Sequence, residues 1–491
     1  MIHPNIVIIM ADQMTAALTG AYGHPVVRTP NLDGLAARGV RFDAAYTPCP
    51  LCTPARAAMM SGRYASRTRT YDNGGILASD VPTWAHHLRA AGYEVIAAGK
   101  MHFVGADQLH GFERRLTPDI YPADFSWTPD PDEPCDGADD QTHGKAVVAR
   151  RAGPCDGSEQ IDYDDNVHAR SLEFLRGRRG DRPLCLLVSY SHPHPPYLCP
   201  RRFWEMYEGA DIDLPALTDI PRDRQSCMER WLHSFQGFSP ADAAHAETIR
   251  RIHRAYYGMV SYIDEKVGEI LAGLAEAGMA ENTAVLFASD HGDMLGQRRQ
   301  VQKRLFYEWS ARVPLIGSFP GRWGEGATVS APVNLIDLFG TLTELAGAVP
   351  PIDVDGRSIL PLLTGKAPAD EDRITFSEYQ GEGVRGACFM ARRGRFKYVY
   401  VHGHQRQLFD LQADPLEQTD LADVPAHAET EQQLHAAVVK RFDVDKIAED
   451  MFRSRRERVL MRKAMESGRQ TRWDYQPPVD GSRNRKREGG A

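Results

Sequence analysis

The 491-residue sequence predicts an α/β protein, with a large mixed sheet flanked by helices and then a small antiparallel-sheet subdomain. Three observations carry that reading. Strand-length, largely apolar runs recur at 5–10, 93–98, 183–190 and 283–288, as strands covered on both faces require. Helical periodicity fills the gaps, most plainly over 241–277, where Ile249, Ile252, Tyr256, Met259, Ile263, Val267 and Ile270 share one face. After about residue 366 the texture changes to short strands, 387–392 and 396–401, around a turn at Arg393-Gly394-Arg395. The expected division is a main catalytic unit over 1–365, an α+β subdomain over 366–445, and a helical then extended tail over 446–491 suited to contact another subunit.

A hydrophobic share of 42% and a charged share of 25% are those of a globular protein, and a net charge of −8 argues against general affinity for nucleic acid. The eight cysteines scatter without framework spacing, as in a reduced compartment. The first apolar run lacks a basic lead, ends at Asp12 and is too short to span a membrane, and no other stretch approaches membrane length. The expectation is a cytoplasmic protein acting on a small molecule. No internal repeat is visible.

In chain order, the strand at 5–10 delivers Asp12 and Gln13 from its carboxyl end, where ligands collect in open α/β sheets. Asp12 is a candidate metal ligand; a helix N-cap is the plainer use of such an acid. Thr29-Pro30-Asn31-Leu32 opens a helix stopped at Gly39, and 71–75 is a turn that carries Asn73. Pro82 opens a helix ending near Gly92. The strand at 93–98 then delivers Gly99-Lys100-Met101-His102, with Lys100 and His102 pointing into one crevice. Residues 104–160 read as a long irregular insert with an aromatic stretch at 121–127. A helix over 164–176 turns Val167, Ser171, Leu172 and Leu175 inward. The strand at 183–190 ends in Ser191-His192-Pro193-His194-Pro195-Pro196, where prolines stiffen two histidines as a positioned acid or base. A zinc pair is the weaker rival there, since no cysteine or acid cluster sits beside them. The strand at 283–288 delivers Asp290 and His291, Lys303 follows, and helices run near 334–346, 427–441 and 446–467.

Cys52-Thr53-Pro54-Ala55-Arg56 opens one or two helical turns closed by Gly62, and a helix start favours anionic chemistry. A buried structural cysteine and a Cys49-x-x-Cys52 redox pair compete with a reactive role. Pro54 and Arg56, however, have no part in a dithiol site. Asp12, Asp290 and His291 at strand ends offer oxygen donors and one imidazole, a set for Ca2+, Mg2+ or Mn2+. Arg56, Lys100, Lys303 and the histidines are the cationic donors an anionic substrate group requires.

The run from Leu51 through Arg56, with its Ser61-Gly62 exit, resembles the sulfatase signature. Asp12, Gly99-Lys100-Met101-His102, Pro193-His194, Asp290-His291-Gly292, Lys303 and the ending at 408–411 with Asp414-Pro415 occur in sulfatase order over nearly the whole chain. The stretches 99–102, 107–113, 119–125, 127–130 and 163–165 are similar to the bacterial choline-sulfatase branch. The resemblance implies an alkaline-phosphatase-like fold and cleavage of a sulfate monoester, choline-O-sulfate or a related small alkyl sulfate. It implies one divalent metal, Ca2+ ahead of Mn2+ or Mg2+, and a maturation enzyme that converts Cys52 to formylglycine. The hydrate of that group attacks, and His102 then assists elimination of sulfate.

Carried over by resemblance, Asp12, Asp290, His291 and modified Cys52 hold the metal. Gln13, Arg56, Asn73, Lys100, His102, His194 and Lys303 hold the sulfate or move protons, with His194 and Lys303 the candidate donors to the leaving alkoxide. His192, Trp127 and Glu382 contact the substrate, the latter two as a quaternary-ammonium cage. A homodimer or homotetramer is implied too. The chain departs from the branch at Pro195, Gln302 and Arg304. Rivals on the same fold are a phosphonate monoester or phosphodiester hydrolase, which usually lacks the Lys100 and His102 counterparts, a promiscuous aryl sulfatase, and a non-catalytic anion binder.

Overall fold

The computed structural model describes residues 3–132, 144–216, 220–239, 246–349, 353–368, 370 and 372–468. Its centre is an eight-stranded sheet in the order Ala327–Val329, Val40–Phe42, Leu315–Ser318, Thr283–Ser289, Asn5–Ala11, Leu184–Ser189, Glu94–Gly99, Arg114–Arg115. The four consecutive strands from Thr283–Ser289 to Glu94–Gly99 run parallel, while Leu315–Ser318 pairs antiparallel with both its neighbours, so the sheet is mixed as the sequence predicts.

Both faces are covered, which is why these strands are apolar throughout rather than alternating. Val7, Ile9 and Ala11 enter the core beneath helices Ala246–Glu276, Glu159–Gly177 and Pro30–Ala37. Ile6, Ile8 and Met10 enter the opposite core with Trp84, Leu88 and Phe339 of helices Trp84–Ala90 and Asp337–Leu345. This period of two fixes the register, and the parallel run places four strand ends along one edge. That edge is where Asp12, Lys100, His192, His194 and Asp290 leave the sheet.

A four-stranded antiparallel sheet, Thr375–Tyr379, Cys388–Arg393, Phe396–Val401 and Gln405–Asp410, follows in simple chain order. Its core includes Tyr46, Leu51 and Ala58 alongside Tyr379, Phe389 and Leu434, so it supports the helix that begins at Cys52. That helix, Cys52–Ser61, is buried at every position and ends at Gly62 in the left-handed region (φ 67°). Any side chain at Gly62 would also strike the Phe339 ring.

Several boundaries differ from expectation. The helix expected from 164 begins at Glu159, because Ser158 caps it by accepting from the Ile161 amide. The 104–160 stretch is less irregular than its composition suggests. It contains helix Gly144–Ala149 and strand Gly153–Cys155, which pairs with Leu198–Pro200. The helix expected over 241–277 is described from Ala246 to Glu276, and 241–245 lie outside the described residues. In the stretch 131–160, residues 133–143 likewise lie outside them, as does the tail from 469, including the polar stretch around Trp473. The described cysteines are all unpaired. No helix among the described residues is long and apolar enough to cross a membrane.

Candidate active site

Asp12 follows the first strand directly, and the chain turns at Gln13 through a positive φ of 66°. Asp290 and His291 follow strand Thr283–Ser289. The fully buried N-terminus of helix Cys52–Ser61 brings Cys52 to the same point. One donor atom from each of Asp12, Cys52, Asp290 and His291 lies within 4.8 Å of every other. Two carboxylates and an imidazole gathered this closely fit a divalent cation, with the Cys52 sulfur beside them.

Arg56, one helical turn beyond Cys52, is wholly buried and ties this group together. It donates to Asp290 Oδ2 (2.9 Å), Asp12 Oδ2 (3.3 Å), Ser189 Oγ (2.8 Å) and the Lys100 carbonyl (2.6 Å). Lys100 Nζ pairs with Asp12, and its ammonium sits 4.3 Å from the Tyr121 ring centre. Gly99, just before it, has φ 94°, and a Cβ there would meet the Ser189 carbonyl at 1.9 Å, so only glycine lets the chain turn here. Lys303 donates to Gln13 Oε1 (2.5 Å), the Gln13 amide donates to Asp290 Oδ1 (3.0 Å), and Gln13 Nε2 donates to Asp293 Oδ2 (2.5 Å). Asp12 thus faces both Arg56 and Lys100, while Asp290 faces Arg56, and all four are wholly buried, so removing Arg56 strips Asp290 of its cation.

The charges set protonation states. Burial pushes the Cys52 thiol up, but Lys100, Lys303 and His291 outweigh it and hold the group well below the usual thiol range. Cys49, three residues away, is pushed well above that range by burial and then by Glu378. The structure leaves both cysteines free, with no disulfide between them. Burial and Cys52 push Asp12 upward, but Lys100, His194 and Arg56 hold it at about 2. Burial lowers His102, and burial together with Lys303 lowers His194 to about 4, so both imidazoles are neutral at pH 7. Burial, Arg304 and Lys100 bring Lys303 below the usual lysine range.

Both ring nitrogens of buried His102 lack a hydrogen-bond partner, which marks a place for a polar ligand. The backbone amides of Met101 and His102 each donate to Asp119 Oδ2 at 2.8 Å, fixing the positive-φ turn that presents the ring. His194 Nδ1 lies 2.7 Å from the Pro195 carbonyl. The same nitrogen lies 3.3 Å from the Tyr121 hydroxyl; a carbonyl only accepts, so the Pro195 contact is a hydrogen bond in the tautomer that carries its proton on Nδ1.

Above these groups opens a cavity of about 450 Å³, lined by Asn73, Tyr121, Trp127, His194, Lys303 and Glu382 among others. The Tyr121 and Trp127 rings meet at a tilt of 53° with centres 4.4 Å apart, and the His102 ring lies 5.0 Å from Trp127. Glu382 accepts from Arg304 through Oε1 (2.7 and 3.2 Å), while its Oε2 is buried without a partner. Asn73 Oδ1 accepts from the Thr53 amide at 3.1 Å, joining the cavity wall to the Cys52 helix.

Of the residues expected at the site, Asp12, Gln13, Cys52, Arg56, Lys100, Asp290, His291 and Lys303 form one contact network. His102 and His194 border it, and Asn73, Trp127 and Glu382 line its mouth. His192 is placed apart. Its Nδ1 lies 2.6 Å from Asp164, its ring packs against Tyr262, and it is absent from the cavity wall. Asp164 also accepts from the amides of Ser191 and His192, so this pair shapes the turn that aims His194. Sequence reasoning gave no role to Asp119, Asp164 or Asp293, nor to Lys145, Phe235 and Arg304 on the cavity wall. Asp293 had a signal, three residues past Asp290. Lys145 and Phe235 had none, since nothing local places them near the strand ends.

Comparison with known proteins agrees with this geometry. The Sulfatase family profile matches residues 4–348, the profile for the N-sulphoglucosamine sulphohydrolase C-terminal region matches 296–443, and that for the choline sulfatase enzyme C terminus matches 449–487. The choline-sulfatase of Rhizobium meliloti (strain 1021) is 41% identical over 96% of this chain and 94% of its own. Among solved structures, BT4656 in complex with D-glucosamine-2-N,6-O-disulfate aligns with a TM-score of 0.74 at 20% identity, covering 91% of this chain and 99% of that one. The phosphonate monoester hydrolase of Agrobacterium radiobacter aligns with 0.72 at 24%, covering 89% and 95%. Those two likenesses concern the fold. The match along most of the sequence decides the family: the chain belongs to the sulfatases, the hydrolases of sulfuric esters.

Proposed function

We propose that this sulfatase acts on choline-O-sulfate or a similarly small cationic alkyl sulfate. The observation that carries the reading is the unpartnered, buried Glu382 Oε2 on the wall of a cavity that also presents the Tyr121 and Trp127 rings. A carboxylate oxygen and aromatic faces are what a quaternary ammonium group binds. The chain's likeness to the Rhizobium meliloti choline-sulfatase supports the same substrate.

Once matured, Cys52 as a formylglycine hydrate would supply the attacking oxygen, with a divalent ion, Ca2+ by family resemblance, held by Asp12, Asp290 and His291 to acidify it. The remaining work falls to side chains. Arg56 fixes both carboxylates, so their geometry is set before substrate arrives. Lys100 stays charged beside Asp12 and meets the sulfuryl oxygens. His102, its proton affinity lowered by burial and partly restored by its interaction with Cys52, is the base beside that side chain. An alkoxide leaving group needs a proton. Burial lowers the proton affinity of Lys303, which readies it to give up a proton, whereas burial and Lys303 hold the His194 imidazole at about 4 and so neutral. Lys303 is therefore the donor. The dimeric or tetrameric state implied by resemblance, the maturation enzyme and the cytoplasmic location belong to the same proposal.

Steady-state kinetics on choline sulfate, 4-nitrophenyl sulfate and a phenyl phosphonate monoester test it. The expected order of kcat/KM places choline sulfate first. A phosphonate preference would replace the reading by the hydrolase alternative.

A further inference from the structure

We infer that helix Val444–Glu466 shapes the organic-group end of the pocket, with Arg455, Arg458 and Arg462 as positioning residues that hold its loops. The inference rests on the substrate reading above. These three arginines fall at i, i+3 and i+7, one face of the helix. Each bonds a different part of the cavity wall. Arg458 forms a two-pronged pair with Asp72 (2.7 Å for the longer contact), the residue before Asn73. Arg462 donates to the Thr128 carbonyl (2.8 Å), next to Trp127. Arg455 reaches the carbonyls of Gln380 and Gly381, next to Glu382. Asn73, Trp127 and Glu382 thus each have an arginine anchor within two residues.

The loops also bear on one another. A Cβ on Gly74 would meet Thr128 Oγ1 at 2.2 Å, so the 72–75 turn lies flush against the Trp127 segment, and Arg458 stands 3.5 Å from that same hydroxyl. Asp450 on the helix adds a second grip, accepting from Arg69 (2.8 and 3.0 Å) and Tyr71 (2.8 Å) at the start of the turn. Arg455 and Arg458 are buried, which an Arg-rich helix facing solvent would not require. Among the described residues, the three anchored segments have no regular element at Asn73 or Glu382 and only the short turn Phe125–Trp127 at Trp127, so the arginines fix what the sheet does not.

The test is kcat and KM on choline sulfate and on 4-nitrophenyl sulfate for the full-length matured protein and four variants. These are Arg462→Met, Arg458→Lys, Arg458→Met, and Arg458→Met combined with Asp72→Asn. The double variant removes both charges and so guards against loss of folding, and Arg462→Met loses one bond to a carbonyl and a long pair with exposed Glu466. The expected result is a KM for choline sulfate raised about tenfold in Arg462→Met and the double variant, kcat held within about threefold, and partial rescue by Arg458→Lys. The KM for the aryl ester moves less, because the strand-end groups that hold its sulfate are untouched. Folded variants with unchanged KM for choline sulfate, or with equal losses in kcat on both esters, would overturn the inference. Wild-type protein that cleaves the aryl ester but not choline sulfate would overturn the substrate reading instead. The arginines would then be judged by the KM of the aryl ester in the same variants.

Discussion

The two ends of the pocket are made of different material. At the sulfate end, Asp12, Lys100, Asp290 and His291 leave the sheet at the ends of parallel strands, and Arg56 knits them from a buried helix. At the other end, Asn73, Trp127 and Glu382 sit on loops whose anchors are side chains of a helix 74 to 386 residues away in sequence. The first end inherits its precision from the sheet ladder and requires little more. The second has no ladder and depends on charge-assisted bonds to backbone carbonyls and to Asp72. Bond cleavage and substrate choice are therefore mechanically separable in this fold, and substitutions ought to sort accordingly.

The sharpest division is expected at Cys52. Cys52→Ala should lower sulfate release by about four orders of magnitude or more on every ester while the fold survives, measured by turnover and circular dichroism. Cys49→Ala, its neighbour pushed the opposite way by burial, should keep nearly full activity. Next comes Arg56→Met, which leaves buried Asp290 without its cation while Asp12 keeps Lys100. Activity should vanish on all esters, and urea unfolding should show a loss of about 3–5 kcal/mol.

Lys303→Ala should cost about a hundredfold in kcat on choline sulfate and far less on 4-nitrophenyl sulfate, whose leaving group needs no proton. The acid must be charged to act, so kcat on choline sulfate should fall as pH rises through the lowered pKa of Lys303. That limb should be absent for the aryl ester. The smallest effects belong to the outer end. Trp127→Ala and Glu382→Gln should each raise KM for choline sulfate by about tenfold with kcat preserved, in line with a desolvated cation–π or carboxylate contact. Equal losses on both esters from these two variants would erase the distinction between the ends.

The same difference explains what could be read from sequence. Strand-end residues are legible because a run such as 283–288 announces both the strand and the point where Asp290 leaves it. The long core helix was plain from its apolar stripe, and the small sheet from its turns. His192 and His194 looked alike in the proline-stiffened run, and only the fold shows that Asp164 takes the first and leaves the second at the cavity. The arginines of the last helix read as part of a tail suited to contact another subunit, because local pattern cannot show that Asp72 lies opposite them. Lys145 and Phe235 reach the cavity from segments with no motif at all. Long-range contacts between loops leave no periodic trace, and that is where local reasoning stops.

Everything at the sulfate end turns on the chemical state of one side chain. Peptide mass spectrometry of active protein, made together with its maturation enzyme, examines it directly. The predicted result is a Cys52 peptide bearing an aldehyde or its hydrate in place of the thiol, in a proportion that tracks specific activity. A fully active sample in which that peptide carries only unmodified cysteine would contradict the account.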